Sequence, residues 1–195
     1  MSGRVSVVMP YYDGAEYVGA ALRSIDDQSY DDIEVIVVDD GSPTAAHEAV
    51  KSELATVSRP TSLRRHETNR GISAARNTGV EAASGAYVAV HDQDDVSRPK
   101  RFERQVALME DRPAVGTCMT DVVHIDADGE RRGRRSYARP LDTYTADDVV
   151  REMFERWIER GAALPITTEL TRATVYETVG TYAGEYYGAQ DHEFL

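Results

Sequence analysis

The chain has 195 residues, enough for one domain with a substantial core and too few for two ordinary ones. Its net charge is −12, from 34 acidic and 22 basic residues, so its surface repels nucleic acid and anionic membrane, and neither is a default partner. No stretch approaches the ~20 apolar residues of a membrane-crossing helix.

Met1-Ser2-Gly3-Arg4 leads straight into a strand without the apolar region of a signal peptide, so a cytoplasmic protein is expected. Residues 5–9 (VSVVM) form the β-branched, apolar run of a buried parallel strand, and Pro10-Tyr11-Tyr12-Asp13-Gly14 breaks it. Tyr17, Val18, Ala21, Leu22 and Ile25 then recur at helical spacing. A second strand over 33–38 ends at Asp39-Asp40-Gly41-Ser42-Pro43, and a helix is expected over 45–54. Residues 63–66 make a weak third strand, 72–83 a helix with Gly85 beyond its end, and 87–90 a fourth strand ending at His91. Pro99 stands near the start of a helix reaching about Glu110.

The pattern then changes. Residues 115–125 look like one strand, followed by a turn at Asp126-Ala127-Asp128-Gly129. Cys118 in this run is the lone cysteine, so no intrachain disulfide can form, and it reads as a buried structural thiol. Arg131, Arg132, Arg134 and Arg135 either meet an anionic or lipid-phosphate acceptor or face water on a hairpin. An amphipathic helix over 146–160 carries Trp157 on its apolar face. A strand at 166–170, a short helix at 171–179, a Gly/Tyr-rich loop at 180–188 and a new helix near Gln190 complete the chain.

Strands alternating with helices imply a mostly parallel sheet covered by helices on both faces. Ligands of such sheets bind beyond the carboxyl ends of the strands. Here those ends carry Tyr11-Tyr12-Asp13, Asp39-Asp40 and Asp92-Gln93-Asp94-Asp95. The three carboxylates of the last group repel one another, and burial adds to the cost. A divalent cation with oxygen ligands, Mg²⁺ or Mn²⁺, removes that penalty and can bridge a diphosphate. A solvated turn capping the next helix is the alternative, and so short a motif leaves both open. Asp39 or Asp40 could accept from a base N–H or a ribose hydroxyl, or the segment could simply cap a helix through Ser42 or Thr44. Tyr11 and Tyr12 offer either a stacking face or ordinary packing. Arg70 and Arg76 meet a phosphate or base, or else form surface ion pairs. Neither a lysine-bearing phosphate loop nor GxGxxG follows the first strand, which argues against P-loop and dinucleotide binding.

Taken in order, VSVVMPYYDGAEYVGAALRSIDDQSYDDIEVIVVDDGS and NRGISAARNTGVEAASGAYVAVHDQDD resemble the opening strand–helix units of the family 2 glycosyltransferases of the GT-A fold. The likeness runs from Val5 to about Met109 and resumes at Ala189–Phe194. It implies a Rossmann-like α/β/α sandwich with a mostly parallel central sheet. One domain over 1–195 is expected, with a nucleotide-binding half at 1–110 and an acceptor-side half at 111–195. Members often extend further, so a C-terminal truncation is expected, and with it a peripheral membrane contact made by the missing part at the cytoplasmic face.

The resemblance also implies roles. Pro10 and Tyr12 match the loop that holds the donor base, with Tyr12 stacking. Asp40 matches the carboxylate that reads the base, Asp39 its neighbour near the nucleoside, and Arg70 a basic residue beside the base. Asp92 and Asp94 match the DxD motif, with Asp94 on the metal (Mn²⁺ or Mg²⁺) and Asp92 near the ribose or in the metal shell. Asp191 takes the place of the base that deprotonates an acceptor hydroxyl for inverting attack on C1. Gln190 stands where a glutamate is common, and His91 where an apolar residue is usual. The implied donor is a nucleoside-diphosphate sugar, a UDP-sugar first, and the acceptor a glycan or lipid-linked hydroxyl in polysaccharide, glycolipid or glycoprotein glycan synthesis. The alternatives are a noncatalytic or truncated nucleotide-sugar-binding module, and a nucleotidyltransferase. The latter would normally carry a glycine-rich basic loop where Pro10-Tyr11-Tyr12-Asp13 stands.

Overall fold

The structure, a computed structural model, describes residues 3–135 and 166–182. The expected helix over 146–160, Trp157, Tyr186, Tyr187, Gln190 and Asp191 lie outside them. The first half forms eight elements in strict alternation: β1 (Val5–Tyr11), α1 (Val18–Asp26), β2 (Ile33–Asp39), α2 (Thr44–Leu54), β3 (Thr61–Arg65), α3 (Ile72–Ala82), β4 (Tyr87–Val90) and α4 (Arg101–Asp111). β1, β2, β3 and β4 lie parallel, in the order β3-β2-β1-β4.

β1 runs two residues past its expected end at Met9, straight through Pro10. Val8 serves β4, since its carbonyl accepts from His91 N–H, and Tyr11 serves β2, since its carbonyl accepts from Asp40 N–H. Alternation therefore turns Pro10 toward β4, whose last paired residue, Val90, lies opposite Val8. The missing proline N–H thus falls beyond the neighbouring strand and costs no ladder bond.

The second half departs further from expectation. The single strand expected over 115–125 divides into β5 (Thr117–Cys118) and β6 (Val122–Ile125), and β6 pairs with β7 (Arg131–Arg135) in a separate hairpin. Thr168 causes the division. Its hydroxyl accepts from Thr120 N–H at 3.1 Å and lies 3.2 Å from Thr120 O, so a side chain replaces the ladder there. The strand expected at 166–170 is instead a 3₁₀ turn, Ile166–Thr168, followed by β8 (Leu170–Arg172) and α5 (Ala173–Val179). β8 lies antiparallel between β4 and β5 and completes the six-stranded sheet.

Helices cover both faces. Val7, Met9, Val35 and Val37 face Leu22 and Ile25 of α1, Val50 of α2 and Phe102 of α4 on one side. Val8, Val88, Ile36 and Val38 face α3 and α5 on the other. Burying each such side chain is worth about 1.5–3 kcal/mol, which makes this packing the main source of stability. Cys118 is buried as expected, and its burial pushes the thiol up to about 11. The α3 packing is close: a Cβ at Gly79 would lie 2.2 Å from Cγ1 of Val8, a side chain with no exposed surface. In an exposed helix Gly→Ala gains about 1 kcal/mol. Gly79→Ala is expected to reverse that sign and destabilise by about 1–3 kcal/mol in urea unfolding; a stabilised variant would show that the α3–β1 contact yields.

Candidate functional site

In-register pairing brings the strand ends level. Tyr11 lies opposite Asp39, and Asp39 opposite Arg65, so the segments after β1, β2 and β3 emerge side by side. With the loop after β4 and the N-terminus of α3 they surround a cleft of about 1070 Å³. Pro10, Tyr12, Asp40, Arg70, Asp92 and Asp94 all line it. Asp39 does not.

Asp39 instead lies fully buried beneath the cleft floor. One of its oxygens accepts from Ser42 N–H at 2.9 Å, and the other lies 2.6 Å from His47 Nδ1 and 3.4 Å from Arg65 Nε. Neither Ser42 nor Thr44 caps α2: Pro43 holds that position without a side-chain cap, and Ser42 Oγ accepts from Asp13 N–H instead. The tyrosines also divide. Tyr11 is buried, its hydroxyl donating to Ala46 O at 2.7 Å, and burial with the nearby Asp39 charge pushes it up to about 12. Tyr12 is 47% exposed at the cleft and offers the aromatic face.

Asp40 is the best-held carboxylate of the cleft, only 3% exposed. Oδ1 accepts from Arg70 N–H at 2.9 Å and faces His66 Nδ1 at 2.6 Å, and Oδ2 accepts from Gly71 N–H at 2.8 Å. Gly41 makes this possible. It takes φ +74°, and a Cβ there would lie 2.5 Å from Asn69 N, so only glycine lets the loop before α3 close over the end of β2. The Arg70 side chain itself is exposed at the cleft.

The β4 end is braced from below. His91 is fully buried and donates from Nδ1 to Asp92 O at 2.8 Å, while Nε2, 3.0 Å away, accepts from the Ser97 hydroxyl. Burial, with the Arg101 charge nearby, drives its imidazole down to about 3, so the ring is neutral. Arg101 donates to Ser97 Oγ and to the carbonyls of Thr167 and Glu169, tying this loop to the segment that enters β8. Gln93 clips the loop to β1, accepting from Tyr12 N–H at 2.9 Å and donating to Tyr12 O at 3.1 Å. Asp92 is partly exposed and sits 3.7 Å from Arg76, which is buried rather than on the surface and lies 5.4 Å over the Tyr182 ring. Asp94 is exposed at the cleft. Withdrawal from water, and the nearby Asp94, raise the Asp95 carboxyl against the lowering effects of Thr167 and Arg101.

Among the described residues, no three His, Cys, Asp or Glu side chains gather as a ligand set. A cation could be held by Asp94 with Asp92 only if a ligand and water completed its shell. That is the usual arrangement for Mg²⁺ with phosphates, and two carboxylate donors fit it. The residues that sequence reasoning passed over are His66, Gln93 and Arg101. Each acts on a partner distant in sequence or on backbone, and leaves no local pattern. Asp191 lies outside the described residues.

Comparison with known proteins agrees with this architecture. The model of glycosyl transferase family 2 matches residues 6–168. The uncharacterized glycosyltransferase EpsJ of Bacillus subtilis is 30% identical over 136 residues, 70% of this chain and 37% of that one. S. aureus TarS 1-349 in complex with UDP superposes with a TM-score of 0.73 at 19% identity, over 98% of this chain and 53% of that one. A mannosyltransferase from Pyrobaculum calidifontis, in complex with GDP-Man and Mn²⁺, gives 0.71 at 22% identity, over 100% of this chain and 51% of that one. The fold is thus the GT-A fold. The chain spans less than half the length of the curated relatives it matches.

Proposed function

This chain belongs to glycosyl transferase family 2, and we propose that it moves a sugar from a nucleoside-diphosphate sugar, a UDP-sugar first, to an acceptor hydroxyl with inversion at C1. One observation carries the reading: a single cleft collects an open aromatic face at Tyr12, a held carboxylate at Asp40, the exposed Arg70 and the carboxylates of Asp92 and Asp94. Each matches one part of such a donor. Support for the donor class comes from the similar structures, described as complexes with UDP and with GDP-Man and Mn²⁺.

In this reading Tyr12 stacks on the base, with Pro10 shaping the turn beside it. Among the described residues, donors fill three acceptor directions of Asp40, and the fourth, on Oδ2, would take a base N–H. Uracil and guanine present a ring N–H; cytosine and adenine present a lone pair at that place. Arg70 and the N-terminus of α3 favour the anionic part of the ligand. Asp39 acts by bracing the turn that carries Asp40. Asp94, with Asp92, would hold Mn²⁺ or Mg²⁺, which when bound supplies positive charge to the departing diphosphate. Asp191 takes the proton of the acceptor hydroxyl. Residues 1–110 serve the donor and residues 111–195 the acceptor, a glycan or lipid-linked sugar. No helix among the described residues is long and apolar enough to cross a membrane.

The test is calorimetry with UDP-, GDP-, ADP- and CDP-sugars, with and without Mn²⁺. Saturable binding of a UDP- or GDP-sugar that strengthens roughly tenfold or more with Mn²⁺ is expected. Absence of binding to every nucleotide sugar would remove the donor assignment, and binding indifferent to metal would remove the metal.

A further inference from the structure

We propose that His66 is a positioning residue that sets base selectivity in the donor cleft by fixing the carboxylate of Asp40. The proposal rests on the reading of Asp40 as the group that meets the base.

His66 follows β3 and is 7% exposed. Its backbone N–H donates to Asp39 O at 2.9 Å, extending the β2–β3 pairing by one residue and delivering the ring beside Asp40. Nδ1 lies 2.6 Å from Asp40 Oδ1 and Nε2 lies 2.9 Å from Thr78 Oγ1. An ionised carboxylate only accepts, so the Nδ1 proton points at Oδ1. In the neutral ring Nε2 then accepts from the Thr78 hydroxyl. Asp40 and Thr78 both line the cleft, so the imidazole bridges two of its walls, the end of β2 and the helix α3.

The consequence lies in how the carboxylate is filled. Arg70 N–H and His66 occupy Oδ1, and Gly71 N–H takes one direction of Oδ2. A base can therefore reach only the remaining direction of Oδ2, where a ring N–H is accepted and a ring lone pair is repelled. Without the imidazole, Oδ1 regains an open direction. Water or an exocyclic amino group can then satisfy it, and the carboxylate loses a charge-assisted restraint on its rotation. Selectivity between bases with and without the ring N–H should fall more than affinity for the diphosphate. Nothing about His66 in the sequence signals this, because its partners are 26 and 12 residues away.

The experiment measures binding of UDP against CDP, and of GDP against ADP, by calorimetry in Mn²⁺ for wild type, His66→Phe, His66→Gln, His66→Asn and Asp40→Asn. Circular dichroism and thermal unfolding report whether each variant is folded. Asn places an amide donor near Nδ1, whereas Gln places one near Nε2 and reaches Thr78 instead. His66→Phe and His66→Gln are expected to weaken the better-bound nucleotide of the discriminating pair roughly tenfold. They should weaken its partner by less than about threefold, so the ratio narrows, while His66→Asn restores the ratio to within about threefold of wild type. Should His66→Phe fail to fold, His66→Gln carries the same comparison. An unchanged ratio in folded His66→Gln, or an equal loss for both nucleotides of each pair, overturns the proposal. Asp40→Asn separates the two levels. If it leaves the ratio intact, the base-reading role of Asp40 falls; if it abolishes the ratio while His66→Gln preserves it, only the role of His66 falls.

Discussion

Asp94→Ala is expected to abolish the Mn²⁺ dependence of donor binding and to lower transfer by roughly 10²–10³-fold, the equivalent of several kcal/mol of charge stabilisation at about 1.36 kcal/mol per decade. The expectation is specific because of where Asp94 sits. It is exposed at the cleft rather than built into the core, so its removal should leave the unfolding temperature nearly unchanged. Asp92→Ala makes a less discriminating test. Asp92 lies 3.7 Å from the buried Arg76, so its loss disturbs a buried cation as well as the cleft. Calorimetric titration of the nucleotide sugar with and without Mn²⁺, on both variants, separates the two effects. Unchanged donor affinity in Asp94→Ala would sink the metal assignment.

The donor side of the fold was legible in the sequence because its signals are local. β1, β2 and β4 are short apolar runs (β3, TSLRR, is the weak exception), each helix has periodic apolar positions, and the loaded strand ends sit where parallel sheets place ligands. Pro10 was misleading because its effect depends on where β4 stops, which no local pattern reports. The same holds in the second half. Whether 115–125 is one strand or two depends on Thr168, a residue about fifty positions further on, bonding to the backbone of Thr120. The acidic strand ends showed which residue types could bind a nucleotide but not which of them face it. Asp39 and Asp40 are adjacent and chemically identical, yet alternation along the chain turns one into the interior against His47 and Arg65 and leaves the other at the cleft. Tyr11 and Tyr12 divide in the same way. Burial of His91 and His66, and the contacts of the half-buried Arg101, are tertiary facts, and their roles became visible only with their partners in place.

Asp191→Asn is expected to do the opposite of Asp94→Ala: leave nucleotide-sugar affinity within about twofold and cut transfer by about 10²–10⁴-fold, the contribution of a positioned general base. The amide keeps the size of the carboxylate and cannot take the acceptor proton. The last described residue before this segment, Tyr182, is firmly placed. Asn77 of α3 donates to Tyr182 O at 2.7 Å and accepts from Tyr182 N–H at 2.9 Å, and the tyrosine hydroxyl donates to the buried Glu169 at 2.7 Å. The chain toward Asp191 therefore departs from a point clipped to the same helix whose N-terminus lines the donor cleft. Single-turnover transfer and donor calorimetry on the longest available chain, read together, decide the point. Full transfer by Asp191→Asn places the base elsewhere. Loss of donor binding along with transfer would make Asp191 part of the donor site instead, and the division of labour between the two halves of the chain would have to be redrawn.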